Sequence, residues 1–213
     1  SNLSLGITKA MQLDNTEAES RVIKSRAYPD MKIDVAVNRS LIDFYNTYPS
    51  AYTNNDKMTY FRVYADTPMS EDVKKQTYPA LRSCLQGLSE HQAVSRLLNF
   101  VQTGFEYEYD ETIWGCDRAF FAEETLYYPY CDCEDRSILL TRLIRDLLGL
   151  DCVLIYYPGH LACAVNFTQK EKGDYYMYNQ KEYTVCDPTY INAPIGVQMP
   201  NFKDKEATVV PIK

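Results

Sequence analysis

The chain's 213 residues are enough to bury one sizeable core, as one domain or two small ones. Hydrophobic and charged contents of 46% and 24% are ordinary for a globular protein, and no apolar run reaches the roughly 18–20 residues that span a bilayer. With 22 Lys and Arg against 29 Asp and Glu, the net charge of −7 repels a phosphate backbone. No basic stripe with stacking aromatics offsets it, which excludes nucleic acid as a partner.

Residues 1–34 are polar and mixed, with a strand expected around Arg21–Ser25. The chain opens abruptly on Ser1-Asn2. If that start marks a trimmed leader or anchor, an extracytoplasmic location is favoured. Asn38 suits the N-cap of a short helix through Leu41, Ile42, Tyr45 and Tyr48, stopped by Pro49. Met58–Tyr64 alternates in the manner of a strand, with Tyr60, Arg62 and Tyr64 opposite Thr59, Phe61 and Val63. Ser70 caps a helix to about Leu85, which Pro79 is expected to kink or split. Ser89 and Gln92 form a capping box ahead of the stripe Val94, Leu97, Leu98 and Val101, and Gly104 ends that helix. His91, in its first turn, reads as a solvated surface residue, which leaves one histidine for chemistry. Phe105–Tyr109 reads as a short extended piece, and residues 110–130 show no clear period.

Asp132-Cys133-Glu134-Asp135 opens the strongest helix of the chain. Asp132 is its N-cap, Cys133 its first residue, and Gly149-Leu150 its Schellman-type stop. Helical steps place Cys133, Ser137, Leu140, Ile144 and Leu147 on one inward stripe. They leave Arg136 and Arg145 facing water, with Arg142 nearer the margin. A thiol at a helix start sees unpaired N–H groups and the positive dipole end, both of which favour the nucleophilic thiolate. The neighbouring acids oppose it, and a nearby imidazolium would decide the balance.

Val153–Tyr157 and His160–Phe167 read as strands joined at Pro158-Gly159. In the second, Leu161, Cys163, Val165 and Phe167 face the helix, and His160 sits on the other register beside two alanines. Tyr175–Tyr178 and Glu182–Asp187 form a hairpin around residues 179–181, and Pro188 terminates it. The start of one antiparallel strand thereby comes beside the end of another, so an Asp187 carboxylate can orient the His160 imidazole and stabilise its cation.

Seven cysteines, at positions 84, 116, 131, 133, 152, 163 and 186, are too few and too irregular for a disulfide framework, and most read as small buried hydrophobes. The C-x-C pair Cys131/Cys133, with only two histidines in the chain, gives no zinc pattern. No metal or other cofactor is implied. Nineteen tyrosines read first as half-buried rings with wet hydroxyls and second as a substrate-binding surface.

The stretch D-C-E-D-R-S-I-L-L-T-R-L-I-R-D-L-L-G-L resembles the nucleophile helix of transglutaminase-like domains: a cysteine, an acidic pair, then an apolar helix ending in leucine-glycine. Y-P-G-H-L-A-C-A-V and Y-T-V-C-D-P-T are similar to that superfamily's histidine and aspartate strands, and F-V-Q-T-G-F-E-Y resembles its lead-in. The resemblance covers roughly residues 89–195. It implies an α+β, papain/transglutaminase-like fold with the nucleophile helix on an antiparallel sheet. The catalytic core would span 89–213, and residues 1–88 would form an accessory lobe or arm, or part of the same domain. It also implies a Cys133, His160, Asp187 triad for acyl transfer on a protein or peptide substrate. Bacterial members suggest hydrolysis ahead of crosslinking by a transglutaminase. A catalytically idle peptide- or glycan-binding module of a larger envelope protein is the reading of another class. Cys131, before the N-cap, is the rival nucleophile. Phe100-Val101 stands where the family has tryptophan-valine, and Trp114 has no motif behind it. The expected oxyanion donors are therefore the Cys133 N–H and a side chain such as Tyr128, Tyr127 or Gln102.

Overall fold

The computed structural model describes residues 19–48 and 56–213. Its N-terminal part is a hairpin of β1 (Arg21–Lys24) and β2 (Lys32–Val35), then four helices: α1 (Arg39–Asn46), α2 (Lys57–Asp66), α3 (Glu71–Leu85) and α4 (Glu90–Gly104). Three of these follow their local signals. Asn38 accepts from the Ser40 N–H, Ser70 from Val73, and Ser89 and Gln92 close the box. The expected Pro49 stop lies outside the described residues. Pro79 does not split α3, which runs unbroken through it.

The strand expected at Met58–Tyr64 is a helix. Asp56 caps it by accepting from the Met58 and Thr59 N–H groups. Phe61, Tyr64 and Ala65 then fall at helical spacing and are buried. β-branched and aromatic residues mimic a strand here, and tertiary packing overrides that preference.

The expected extended piece holds β3 (Glu106–Tyr107); the segment without a clear period contains α5 (Asp110–Ile113) and α6 (Ala122–Tyr127) and runs into β4 (Tyr130–Cys131), which pairs with β3 in parallel. It delivers the chain to α7 (Cys133–Leu148), which Asp132 caps and Gly149 ends in the left-handed conformation, φ 68°. The remaining strands are β5 (Cys152–Tyr157), β6 (His160–Val165), β7 (Tyr175–Tyr178), β8 (Lys181–Cys186) and β9 (Thr208–Pro211). They form one antiparallel sheet in the order β7-β8-β6-β5-β9. The β7–β8 turn places Asn179 and Gln180 at φ 45° and 65°, as a two-residue hairpin requires.

The molecule thus combines helices with an antiparallel sheet. Leu161, Cys163, Val165 and Phe167 share a core with Ile138, Leu139, Leu140 and Ile144 of α7, on the face expected for them. Ile23, Met31, Leu41, Phe61 and Leu81 belong to that same core, so described residues on both sides of position 89 share it. The opposite face of the sheet carries a second cluster of Val153, Ile155, Tyr157, Ala162, Ala164 and Tyr183.

Helix α7 is wrapped by α2, α4 and α6 as well as by β5 and β6, and every residue from Asp135 to Ile144 is buried. This corrects the expected water-facing Arg136 and Arg145. Arg136 is 1% exposed, and Arg145 is largely covered and donates to the Thr141 and Ala65 carbonyls. A guanidinium can be interior wherever carbonyl oxygens meet its fork.

Candidate active site

The start of α7 is assembled from reciprocal carboxylate bonds. Asp132 Oδ1 accepts from the Glu134 and Asp135 N–H groups, and Asp135 returns Oδ2 to the Asp132 N–H at 3.0 Å. Asp135 Oδ1 also accepts from Phe120 N at 2.8 Å, which ties the entry of α6 to α7. Cys133 follows the cap, partly exposed. One turn on, Ser137 Oγ donates to the Leu161 carbonyl at 2.9 Å. The α7 N-terminus is therefore docked on the backbone immediately after His160.

His160 is placed by the tight turn at Pro158-Gly159, where Gly159 takes φ 83°, and pairs with Tyr157 across β5 and β6. Its Nε2 lies 2.8 Å from Asp187 Oδ2, both side chains being buried. Asp187 is held in turn: its Oδ1 accepts from Thr189 N at 2.9 Å and Tyr190 N at 3.2 Å. The imidazole is covered by aromatic rings. Phe202 lies 4.7 Å away at 19° and Tyr157 5.9 Å away at 22°. With Nε2 committed to the carboxylate, Nδ1 is the nitrogen through which this ring would exchange a proton.

The loop bearing Asp187 is braced by two buried side chains. Gln102 Nε2 donates to the carbonyls of Asp187, Tyr190 and Ala193 at 3.1, 2.9 and 3.0 Å. Arg136 Nη1 reaches the Gln102 and Pro188 carbonyls, Nη2 the Phe105 carbonyl at 3.0 Å, and Nε the Cys131 sulfur at 3.4 Å. Helix α4, β3, α7 and the Asp187 loop are therefore pinned to one guanidinium.

Of the proposed oxyanion side chains, Gln102 spends its amide on the brace. The Tyr128 hydroxyl exchanges hydrogen bonds with Asn46, and Tyr127 meets the Tyr128 ring edge-on at 5.0 Å. Cys131, the rival nucleophile, is interior, and burial pushes its thiol up to about 12. His91 is exposed beside Glu171. Tyr107 and Phe202 were not among the expected site residues, and Arg136 was expected to face water. Tyr107 lay within the E-Y lead-in, whereas Phe202 carried no signal, because it reaches the site from a loop 42 residues beyond the histidine it covers.

Electrostatically the site is acidic. Burial pushes the Cys133 thiol well above its ordinary value and the Asp132 charge adds to this, while the Leu161 N–H partly offsets both. Burial, with the Asp117 charge behind it, raises the Asp132 carboxyl, and burial and then the Asp132 charge raise that of Asp135. Burial, then the charge of Asp132, lifts Asp110 to about 7 and Glu134 to about 9. A carboxyl with a raised folded-state pKa stabilises the fold below its unfolded pKa, and that contribution is lost as pH rises through the folded value. For Glu134 the window runs from 4.5 to about 9. Glu134→Gln is therefore expected to melt several degrees above the native chain at about pH 9 and no higher at about pH 4, as thermal unfolding at the two pH values will show.

Among the described residues, no group of three or more His, Cys, Asp or Glu side chains is arranged to hold a metal ion, and no helix is long and apolar enough to cross a membrane. No protein-family model and no curated protein matches the chain.

Proposed function

We propose that the chain is a cysteine-dependent acyl-transfer enzyme of papain/transglutaminase-like architecture. It would act on amide bonds of a protein or peptide through Cys133, His160 and Asp187. The observation that carries this reading is the buried His160–Asp187 pair at 2.8 Å, one residue before the Leu161 carbonyl that Ser137, one turn after Cys133 in α7, holds by a hydrogen bond.

In this mechanism the Cys133 thiol gives its proton to His160 Nδ1, and the thiolate attacks the amide carbonyl carbon. The tetrahedral adduct collapses as His160 returns that proton to the leaving amine, breaking the C–N bond and leaving a thioester. Water then attacks the thioester with His160 as base, releasing the carboxylate and restoring the thiol. Asp187 holds the imidazole tautomer and offsets its positive charge throughout.

Hydrolysis is favoured over crosslinking by the resemblance to bacterial members of the superfamily. The test is to incubate the native protein and Cys133→Ala with a mixed peptide library and an alkyl amine. Peptide cleavage by the native chain alone is the expected result. Amine incorporation without cleavage would assign transamidation instead. Equal inactivity of both proteins towards every peptide would remove the enzyme reading in favour of a binding module.

A further inference from the structure

The residues that would form a thioester need a partner for the carbonyl oxygen, and the side chains favoured from sequence are engaged elsewhere. Tyr107 is not. Strand β3 places it directly opposite Cys131, two residues before the nucleophile, and the Glu108 N–H bonds the Cys131 carbonyl at 3.3 Å. The Arg136 guanidinium, three residues into α7 from Cys133, packs against the Tyr107 ring at 5.3 Å. That guanidinium is itself immobilised by the Gln102 and Phe105 carbonyls. Tyr109 closes the ring's edge at 5.4 Å and 90°. The ring is thus held by the nucleophile's own helix and strand yet remains 36% exposed.

We propose that Tyr107 supplies the side-chain half of the oxyanion hole. Its hydroxyl would donate to the substrate carbonyl oxygen as that oxygen becomes negative, and the Cys133 backbone N–H would be the second donor. The inference rests on the acyl-transfer reading above. Four physical points support it. A helix's first N–H groups have no intrahelical acceptor, so the Cys133 N–H is available. After burial, the Cys133 charge has the largest influence on the Tyr107 phenol, so the hydroxyl is within electrostatic reach of the sulfur. The phenol is pushed far above its ordinary value and keeps its proton as a donor across the working pH range. The cation against the ring face draws electron density from it, which strengthens the O–H donor.

The test separates a step that makes an oxyanion from one that does not. Alkylation of Cys133 by iodoacetamide displaces iodide at a saturated carbon, and no carbonyl oxygen gains charge. Acylation by p-nitrophenyl acetate passes through a tetrahedral oxyanion. Both rates are to be followed at the Cys133 peptide by mass spectrometry in the native protein and in Tyr107→Phe, which keeps the ring and its guanidinium contact. Loss of one oxyanion donor is expected to slow acylation about 10²-fold and to leave alkylation within about twofold. Unchanged acylation in Tyr107→Phe, with a fast native protein, overturns the role of Tyr107 alone. Equal slowing of both reactions also overturns it, because the hydroxyl would then act on the thiolate. If native Cys133 reacts with neither reagent faster than the exposed Cys116, the acyl-transfer reading falls and Tyr107 with it.

Discussion

His160→Ala is expected to slow the reaction of Cys133 with iodoacetamide by about 10²–10⁴-fold near neutral pH, the range set by loss of a positioned base. The size follows from the balance at the sulfur. The helix N-terminus and the Leu161 N–H favour the thiolate. Burial, and after it the Asp132 charge, oppose it and prevail, leaving the thiol well above its ordinary value. A site of that kind has no reactive thiolate unless a cation is formed beside it, and in the proposed mechanism the His160 imidazolium is that cation. Dependence on the histidine should therefore be stronger than where the helix dipole alone activates the cysteine. Asp187→Asn keeps an oxygen acceptor for the Thr189 and Tyr190 N–H groups but removes the charge behind the imidazolium. A smaller loss is expected there, on the order of tenfold, the equivalent of about one pKa unit. Equal rates for the native chain and His160→Ala would show that the imidazole has no part in activating the sulfur.

The second large effect is structural. Arg136→Ala is expected to lower the free energy of unfolding by about 3–5 kcal/mol, or to leave no folded protein at all. The guanidinium is 1% exposed and forms no direct ion pair among the described residues. Its stabilisation comes from carbonyl dipoles: Gln102, Phe105 and Pro188 all accept from it. Alanine leaves those three oxygens in the interior without a donor, each costing about 1–3 kcal/mol if water cannot enter. It also leaves a cavity between α4, α7 and the Asp187 loop. Arg136→Lys keeps the charge but cannot span the fork, so an intermediate loss is expected. Urea unfolding of the three proteins gives the ranking, and a loss below about 1 kcal/mol for alanine would contradict the bracing role.

What could be read from sequence follows the range of each interaction. Helix α7 was legible from cap to stop, because Asp132, Asp135 and Gly149 act on backbone groups within four residues. The strands of His160 and Asp187 were legible for a similar reason: period-two alternation and the Pro158-Gly159 and Asn179-Gln180 turns are local signals. Helix α2 was misread because Tyr60, Phe61 and Val63 suit either structure, although Asp56 before Lys57 was a usable cap signal. The burial of Arg136 had no local signal. A helical face is chosen by counting apolar residues, and α7 lies within a shell of helices and strands where even its polar faces are interior. The same limit hid Phe202. Within the site, the His160–Asp187 bond was foreseeable from strand order, whereas the engagement of Gln102 and Tyr128 with distant partners was not. Strand β9, which completes the sheet beside β5, passed unnoticed because a four-residue run near the chain end gives too little periodicity to count.

The central claim is that sulfur and imidazole share one proton in the folded chain. The ultraviolet absorbance of the thiolate, taken as the difference between the native protein and Cys133→Ala and followed across pH, tests it most directly. A thiolate–imidazolium pair predicts that the signal is already present at about pH 6–7, below the ordinary thiol value of about 8.5, and is lost there in His160→Ala. A signal that emerges only in alkaline solution, superimposable for the native and His160→Ala proteins, would mean that Cys133 is a buried thiol and not a nucleophile.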